Sequence, residues 1–325
     1  MTEPGAGTLS VVVAARDASS TIEDAVRSAL ASDAVVQCVV VDDASNDDTG
    51  RVAAALSAED PRVELVARSE RGGPAAARND GLARVRAPRV CFLDADDQLL
   101  AGGLEALSGA FDARRGAVAA LGRFHPVDAG GNDADVGRWS HDQLLGVVRR
   151  HGRVIESPEG LGPEALVTRL VSPPPGAWLL DVACARALGG FDERARRSED
   201  LEFLVRLACA GAVVAVDHDV LAYRRHAGQR SAATTRRRWG RGRTMWLILR
   251  AAPDARGARR LSRGMAAYHL ELWAQRRGST TLRVRAMASR NLAAAGVVRA
   301  LGVVAPLLSR RVLPALAPAP DEAVD

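Results

Sequence analysis

Asp94, Asp96 and Asp97 place three carboxylates within four positions, directly after the apolar run Val90-Cys91-Phe92-Leu93. Carboxylates this close repel one another unless water solvates them or a cation lies between them. Hard oxygen donors suit Mg²⁺ or Mn²⁺, which commonly take one or two carboxylates and fill their other positions with phosphate oxygens and water. Taken alone, the motif has a plainer reading as a solvated acidic turn, because short acidic patterns recur by chance. A second acidic cluster bears on the choice. The segment Asp42-Asp43-Ala44-Ser45-Asn46-Asp47-Asp48-Thr49 follows another apolar run, 35–41. Asp47 or Asp48 can cap a helix over 49–57, which leaves Asp42 and Asp43 without a capping role. A third pair, Glu199-Asp200, follows Ser198 at the expected start of a helix. The helix dipole alone favours a carboxylate there. A carboxylate is also the group that can take a proton from an attacking hydroxyl.

These groups need strands and helices to hold them. Residues 9–15 form a β-branched run suited to a strand buried on both faces. An S-x-x-E capping box, Ser20 to Glu23, then leads into Ile22, Ala25, Val26, Ala29 and Leu30 at helical spacing. Strands are expected at 35–41, 63–67, 90–93 and 118–121, and a helix at 103–114. Gly72-Gly73-Pro74 opens a helix running to about Val85, with proline suited to the first helical position. Arg78 and Asn79 sit near its start, where free amides and the dipole favour anions. Alternating strands and helices predict a parallel sheet, and open α/β sheets bind ligands beyond the carboxyl ends of their strands. The acidic clusters fall at those ends. There is no G-x-x-x-x-G-K-[ST] and no G-x-G-x-x-G after the first strand, which argues against P-loop and nicotinamide enzymes.

Further on, 122–164 reads as irregular, with a turn at 128–133 and a short helix at 139–150. Insertions of this length often bind ligands. A short helix at 181–188 stops at Gly189-Gly190. The helix after Ser198 carries Leu201, Leu204, Val205 and Ala208 on one face and ends at Gly211. Closing strands are expected at 212–216 and 220–223, with His226 just beyond.

The 325 residues carry 44 basic and 39 acidic side chains, a net charge of +5, and 47% are hydrophobic, as in a globular protein with anionic partners. Every basic residue is arginine. With heavy Ala, Val and Gly usage this follows a coding bias, and it carries little weight for nucleic-acid binding. Cys38, Cys91, Cys184 and Cys209 lie in apolar runs without a C-x-x-C pair, which disfavours zinc and redox roles and fits reduced thiols in a cytoplasmic setting. Met1 to Thr8 lacks the pattern of a signal peptide, and no uncharged apolar run is long enough for a spanning helix.

Four blocks together resemble the family 2 glycosyltransferases: Val40 to Thr49 with their V-D-D-x-S-x-D-x-T, Ala77-Arg78-Asn79-Asp80-Gly81 with A-R-N-x-G, Asp94-Ala95-Asp96-Asp97 with D-x-D-D, and Gly189-Gly190-Phe191-Asp192-Glu193 with Glu199-Asp200 for G-G-F-D-E and E-D. The resemblance implies a GT-A fold, Rossmann-like and mostly parallel, over residues 1–230, and a nucleotide-sugar donor, foremost a UDP-sugar. Donor contacts would come from Ala15, Asp17, Asp42, Asp43, Arg78, Asp94, Ala95 and Asp96. Asp96, Asp97 and His226 would hold Mn²⁺ or Mg²⁺, and Asp200 would be the general base. Trp178, Asp192 and Glu199 would face the acceptor, a saccharide, lipid-linked or other hydroxyl compound. Trp178 also reads as a core residue. Ala15-Arg16-Asp17 departs from the family's Pro-x-Tyr-Asn, which leaves no aromatic ring there to pack on a base.

Residues 231–325 read as an arginine-rich helical extension, with five arginines at 236–243. The apolar stretch 297–316 is broken by Arg299, Pro306, Arg310 and Arg311. It suits either a peripheral contact with the inner face of a membrane or an oligomer or domain contact. A non-catalytic nucleotide-sugar-binding module is the rival from another class, and a nucleic-acid-binding protein is a third reading without an aromatic readout surface to support it.

Overall fold

The computed structural model describes residues 7–134, 173–195, 198–226 and 261. The expected helix at 139–150 and the extension at 231–325, apart from Leu261, lie outside the described residues. Strands β1 (Leu9–Ala15), β2 (Val35–Asp42), β3 (Val63–Ala67) and β4 (Arg89–Asp94) pair in parallel. The complete sheet has eight strands in the order β3-β2-β1-β4-β7-β6-β8-β5. Its second half contains β5 (Gln98–Leu99), β6 (Ala117–Val127), β7 (Trp178–Asp181) and β8 (Ala212–Arg224). There β7 runs antiparallel to both β4 and β6, while β6 and β8 are parallel. The helices are α1 (Ile22–Leu30), α2 (Thr49–Glu59), α3 (Pro74–Arg84), α4 (Gly103–Asp112), α5 (Val182–Ala187) and α6 (Glu199–Ala210).

The continuous apolar runs become central strands because helices cover both sheet faces. Val11, Val12 and Val13 are all fully buried, and each such side chain contributes about 1.5–3 kcal/mol. Burial also pushes the Cys38 and Cys91 thiols up to about 12, so both are inert. All four cysteines are free. Among the described residues no helix is long and apolar enough to cross a membrane.

Several boundaries differ from expectation. The Ser20–Glu23 capping box does not form. Thr21 is the N-cap of α1 and makes no side-chain cap. The preceding loop is tied elsewhere: Ser19 N–H donates to Asp47 Oδ2 and Ala18 N–H to Thr49 Oγ1, while Glu23 turns to Arg27. The strand expected at 118–121 extends to Val127, and the two expected closing strands are one. The polar stretch Asp217-His218-Asp219 interrupts the apolar pattern but stays extended, because Arg123 of β6 reaches Asp217 at 2.7 Å and Asp219 at 2.9 Å. The two-residue β5 is too short to leave a periodic signal.

Helix α3 lies close on β1 because position 81 is glycine. A Cβ there would overlap Val12 Cγ1. Gly81→Ala is therefore expected to destabilise by about 1–3 kcal/mol through overpacking. Adding Val12→Ala should recover part of that loss, as read from urea denaturation midpoints.

Candidate active site

The register fixes which groups meet at the carboxyl edge of the sheet. Ala15 of β1 lies opposite Asp42 of β2, and Ala14 lies opposite Asp94 of β4. The acidic clusters expected from sequence thus end on β2 and β4, the two strands that flank β1. The loops beyond them are laced together. Arg16 Nη1 donates to the carbonyls of Asp43 and Ala44 at 2.7 and 2.9 Å. Asn46 N–H donates to Asp17 Oδ1 at 2.8 Å, and Ser45 Oγ accepts from the Asp17 N–H. Asp17 and Ala44 both have positive φ, 48° and 55°, a conformation that costs non-glycine residues on the order of 1 kcal/mol and needs such lacing to persist.

Within this frame Asp42 folds its own loop, accepting from the Ser45 N–H and hydroxyl. Gly50 leaves room for it, since a Cβ would come within 2.9 Å of Asp42 Oδ2. The Ala15 carbonyl accepts from the Asp43 N–H. The Asp43 carboxylate, buried, accepts from the N–H groups of Gly72 and Gly73, both at 2.7 Å, and pairs with Arg68 at 3.0 Å. Asp43 therefore sets the turn into α3, a positioning role that the spacing of the motif did not reveal.

Arg78, delivered by α3, is almost fully buried. Its Nη2 donates to Asp94 Oδ1 at 2.5 Å, and Nη1 stands 3.6 Å from Glu199 Oε1. Its guanidinium also lies 5.3 Å from the centre of the Phe191 ring. Burial works against the cation, but Asp94, Glu199 and Asp200 outweigh it and hold Arg78 above its usual value. Asp200, in the first turn of α6, is pushed up to about 6 by burial and then by Glu199, against the Leu201 N–H and Arg78. A carboxylate poised near neutrality is suited to accept and return a proton. Ser198, expected as a side-chain cap, instead adopts a left-handed backbone with no such bond.

Asn79 joins two motifs that lie over a hundred residues apart. Its amide oxygen accepts from Phe191 N–H at 2.8 Å. Its nitrogen donates to the Phe191 carbonyl and to Glu193 Oε1, at 2.9 and 3.0 Å. Gly190 has φ +68°, and a Cβ on it would overlap Asn79 Oδ1. The ring of Phe191 is wedged between Phe92 and Phe203, with centroids 5.0 and 4.5 Å away. The double glycine was the available sequence signal: one of the two makes room for a side-chain amide. Beside this clamp a cleft of about 520 Å³ is lined by Asn79, Gly190, Asp192, Glu193, Glu202 and Arg206, among others. Although burial opposes it, Arg194 holds the Asp192 carboxyl below its ordinary range.

Asp96 and His226 meet directly, Oδ2 to Nε2 at 2.9 Å, with both side chains about a third exposed. Burial and then Asp94 raise the Asp96 carboxyl, against His226. Carboxylate crowding with an imidazole alongside is a donor set that fits Mn²⁺ or Mg²⁺. Among the described residues no group of three or more His, Cys, Asp or Glu could hold a metal ion, so the remaining positions would fall to phosphate oxygens and water. Asp97 does not join the pair as expected. The turn after β4 rotates it inward, where Oδ1 accepts from Arg224 N–H at 2.8 Å and Oδ2 is buried. Ala95, between Asp94 and Asp96, is buried and offers no polar side chain. Trp178 is corrected as well. At 0% exposure, and paired from β7 with Leu121 of β6, it belongs to the core and offers no ring face to an acceptor.

This arrangement, with acidic strand tips at one edge and a helix-borne carboxylate linked to them by Arg78, defines a GT-A glycosyltransferase fold. Residues 10–159 match the family model described as "Glycosyl transferase family 2". It is 42% identical over 94 residues to the succinoglycan biosynthesis protein ExoU of Rhizobium meliloti, an alignment covering 29% of this chain and only 28% of that relative. The fold resembles that of S. aureus TarS 1-349 in complex with UDP-GlcNAc, with a TM-score of 0.64 at 17% identity, covering 92% of this chain and 83% of that one. It also resembles the mannosyltransferase PcManGT from Pyrobaculum calidifontis in complex with GDP-Man and Mn²⁺, with a TM-score of 0.59 at 20% identity, covering 93% and 81%.

Proposed function

We propose that this chain is a metal-dependent, inverting, single-addition glycosyltransferase. It moves a sugar from a nucleoside-diphosphate donor, foremost a UDP-sugar, to a hydroxyl of a saccharide, lipid-linked or other acceptor. The setting is surface polysaccharide or glycoconjugate assembly on the cytoplasmic side. A peripheral contact with the membrane surface, or with another chain, belongs to the same reading.

The observation that carries the proposal is the buried Arg78, which touches Asp94 on the donor side and stands beside Glu199, next to Asp200. One guanidinium thus ties the strand tips to the candidate base. Ala15, Asp17, Asp42 and Asp43 flank the base end of the donor, and Asp94 takes its ribose. Asp96 and His226 would hold Mn²⁺ or Mg²⁺ against the diphosphate. When bound, the cation stabilises negative charge on the leaving group. Asp200 takes the proton of the acceptor hydroxyl as it attacks. Attack on the face opposite the leaving group inverts the anomeric centre, so one base suffices. Asp192 and Glu199 border the acceptor side.

The full chain is tested against UDP- and GDP-sugars, with Mn²⁺ or with EDTA. The expected result is a Mn²⁺-dependent thermal shift and slow release of nucleoside diphosphate with one donor class. A thermal shift without release would favour the binding-only module. No shift with any nucleotide-sugar would sink both readings.

A further inference from the structure

Arg224 lies in no motif, yet it joins four parts of the chain. Its backbone N–H donates to Asp97 Oδ1 at 2.8 Å, and its Nε donates to the Asp96 carbonyl at 3.0 Å. Its Nη1 donates to the carbonyl of Ala129, beyond β6, at 2.7 Å, and its Nη2 stands 3.8 Å from Asp24 of α1. The sheet brings these parts close, since β5 begins directly after Asp97 and β6 pairs with β8 as far as Val127 and Arg224. Pairing of β8 with β5 ends at Ala222, and β6 holds the strand tip from the other side through Arg225 N–H and the Val127 carbonyl. Within that frame Arg224 adds bonds to Asp96 and Asp97 themselves. His226, two residues on, meets Asp96 at 2.9 Å.

We propose that Arg224, with Asp97 as its backbone acceptor, is the positioning residue that assembles the Asp96–His226 pair. The proposal rests on the reading of that pair as a cation site. It accounts for the inward turn of Asp97, whose Oδ1 holds the Arg224 backbone instead of facing the pair. It also accounts for the residue type. A planar guanidinium can address two carbonyls from fixed directions at once, and an ammonium cannot. Three acidic side chains in one turn would otherwise splay apart, and Arg224 sets positive charge directly against that turn.

The test uses the full chain and measures Mn²⁺ affinity in the presence of UDP from the free-ion paramagnetic resonance signal. It is run at a temperature where circular dichroism shows every variant folded. Residues that orient ligands typically change metal affinity by about 10–100-fold. Arg224→Met is expected to weaken Mn²⁺ binding by about that factor and to raise donor KM more than it lowers kcat. Excess Mn²⁺ should restore its turnover, whereas it should not restore that of Asp96→Asn. Arg225→Met, which among the described residues removes only a side-chain stack on Tyr223, should behave as wild type. If Arg224→Met does not fold, Arg224→Lys decides, with an expected intermediate loss of Mn²⁺ affinity. Wild-type affinity in a folded Arg224→Met or Arg224→Lys overturns the assignment of Arg224 alone. Absence of Mn²⁺ binding by the wild-type chain removes the cation site itself, and the Arg224 inference with it.

Discussion

Asp200→Asn is expected to bind donor as the wild type does and to transfer sugar about 10²–10⁴-fold more slowly. The substitution keeps the shape and the hydrogen bond accepted from Leu201 N–H but removes the proton acceptor. The same carboxyl predicts the pH profile. Held near 6, it must be ionised to act, so wild-type kcat/KM should fall about tenfold per unit as pH drops below that value. Stability runs the other way. A carboxyl raised in the folded state favours folding below its unfolded value, and that contribution is lost as pH rises through about 6. At neutral pH the fold carries an ionised group where it prefers a neutral one. Asp200→Asn should therefore be more stable than wild type above pH 6, by on the order of 1 kcal/mol once solvent screening of this half-buried group is allowed for. The gain should fade in acid. Denaturation midpoints at pH 7.5 and pH 4.5 check the sign. An inactive variant without the pH-dependent gain would separate loss of a base from relief of a crowded charge. A fully active variant would remove Asp200 from the chemistry.

The first half of the fold could be read from the chain because each central strand is one apolar run and each helix follows it closely. The carboxyl-edge rule then places Asp42, Asp43 and Asp94 at one end of the sheet, as the register does. The second half was harder for two physical reasons. Arg123 holds Asp217 and Asp219 in an extended strand that polarity alone reads as a turn. And β7 enters antiparallel between β4 and β6, a pairing that local pattern does not encode. The site shows the same division. Residue types announced which groups could do chemistry, but not which groups hold them in place. Asp43 bonding the Gly72 and Gly73 amides, Asn79 clamping Phe191 and Arg224 bridging to Asp96 are all long-range contacts. Trp178 illustrates the converse, since an acceptor-facing and a core reading both stood and the sheet buried it.

The largest stability effect is expected at Arg78. Arg78→Met removes the positive charge from a nearly buried position surrounded by Asp94, Glu199 and Asp200. Breaking such a set by deleting one partner typically costs about 3–5 kcal/mol, because the remaining charges stay buried without that countercharge. Asp94, 31% exposed, can regain water, which favours the lower end of that range. Glu199 is more deeply buried and less able to do so. Packing against Phe191 is preserved in part by the methionine side chain, so the loss reports mainly on charge. Glu199→Gln added to Arg78→Met should therefore recover part of the stability, with a coupling of about 0.5–3 kcal/mol in a double-mutant cycle. The variant also predicts a shift in the rate profile. Arg78 draws the Asp200 carboxyl down, so without it the acid limb of kcat/KM should move above pH 6. A stable Arg78→Met with an unmoved acid limb would mean that the guanidinium merely fills space, and that the donor-side and base-side carboxylates are held together by something else.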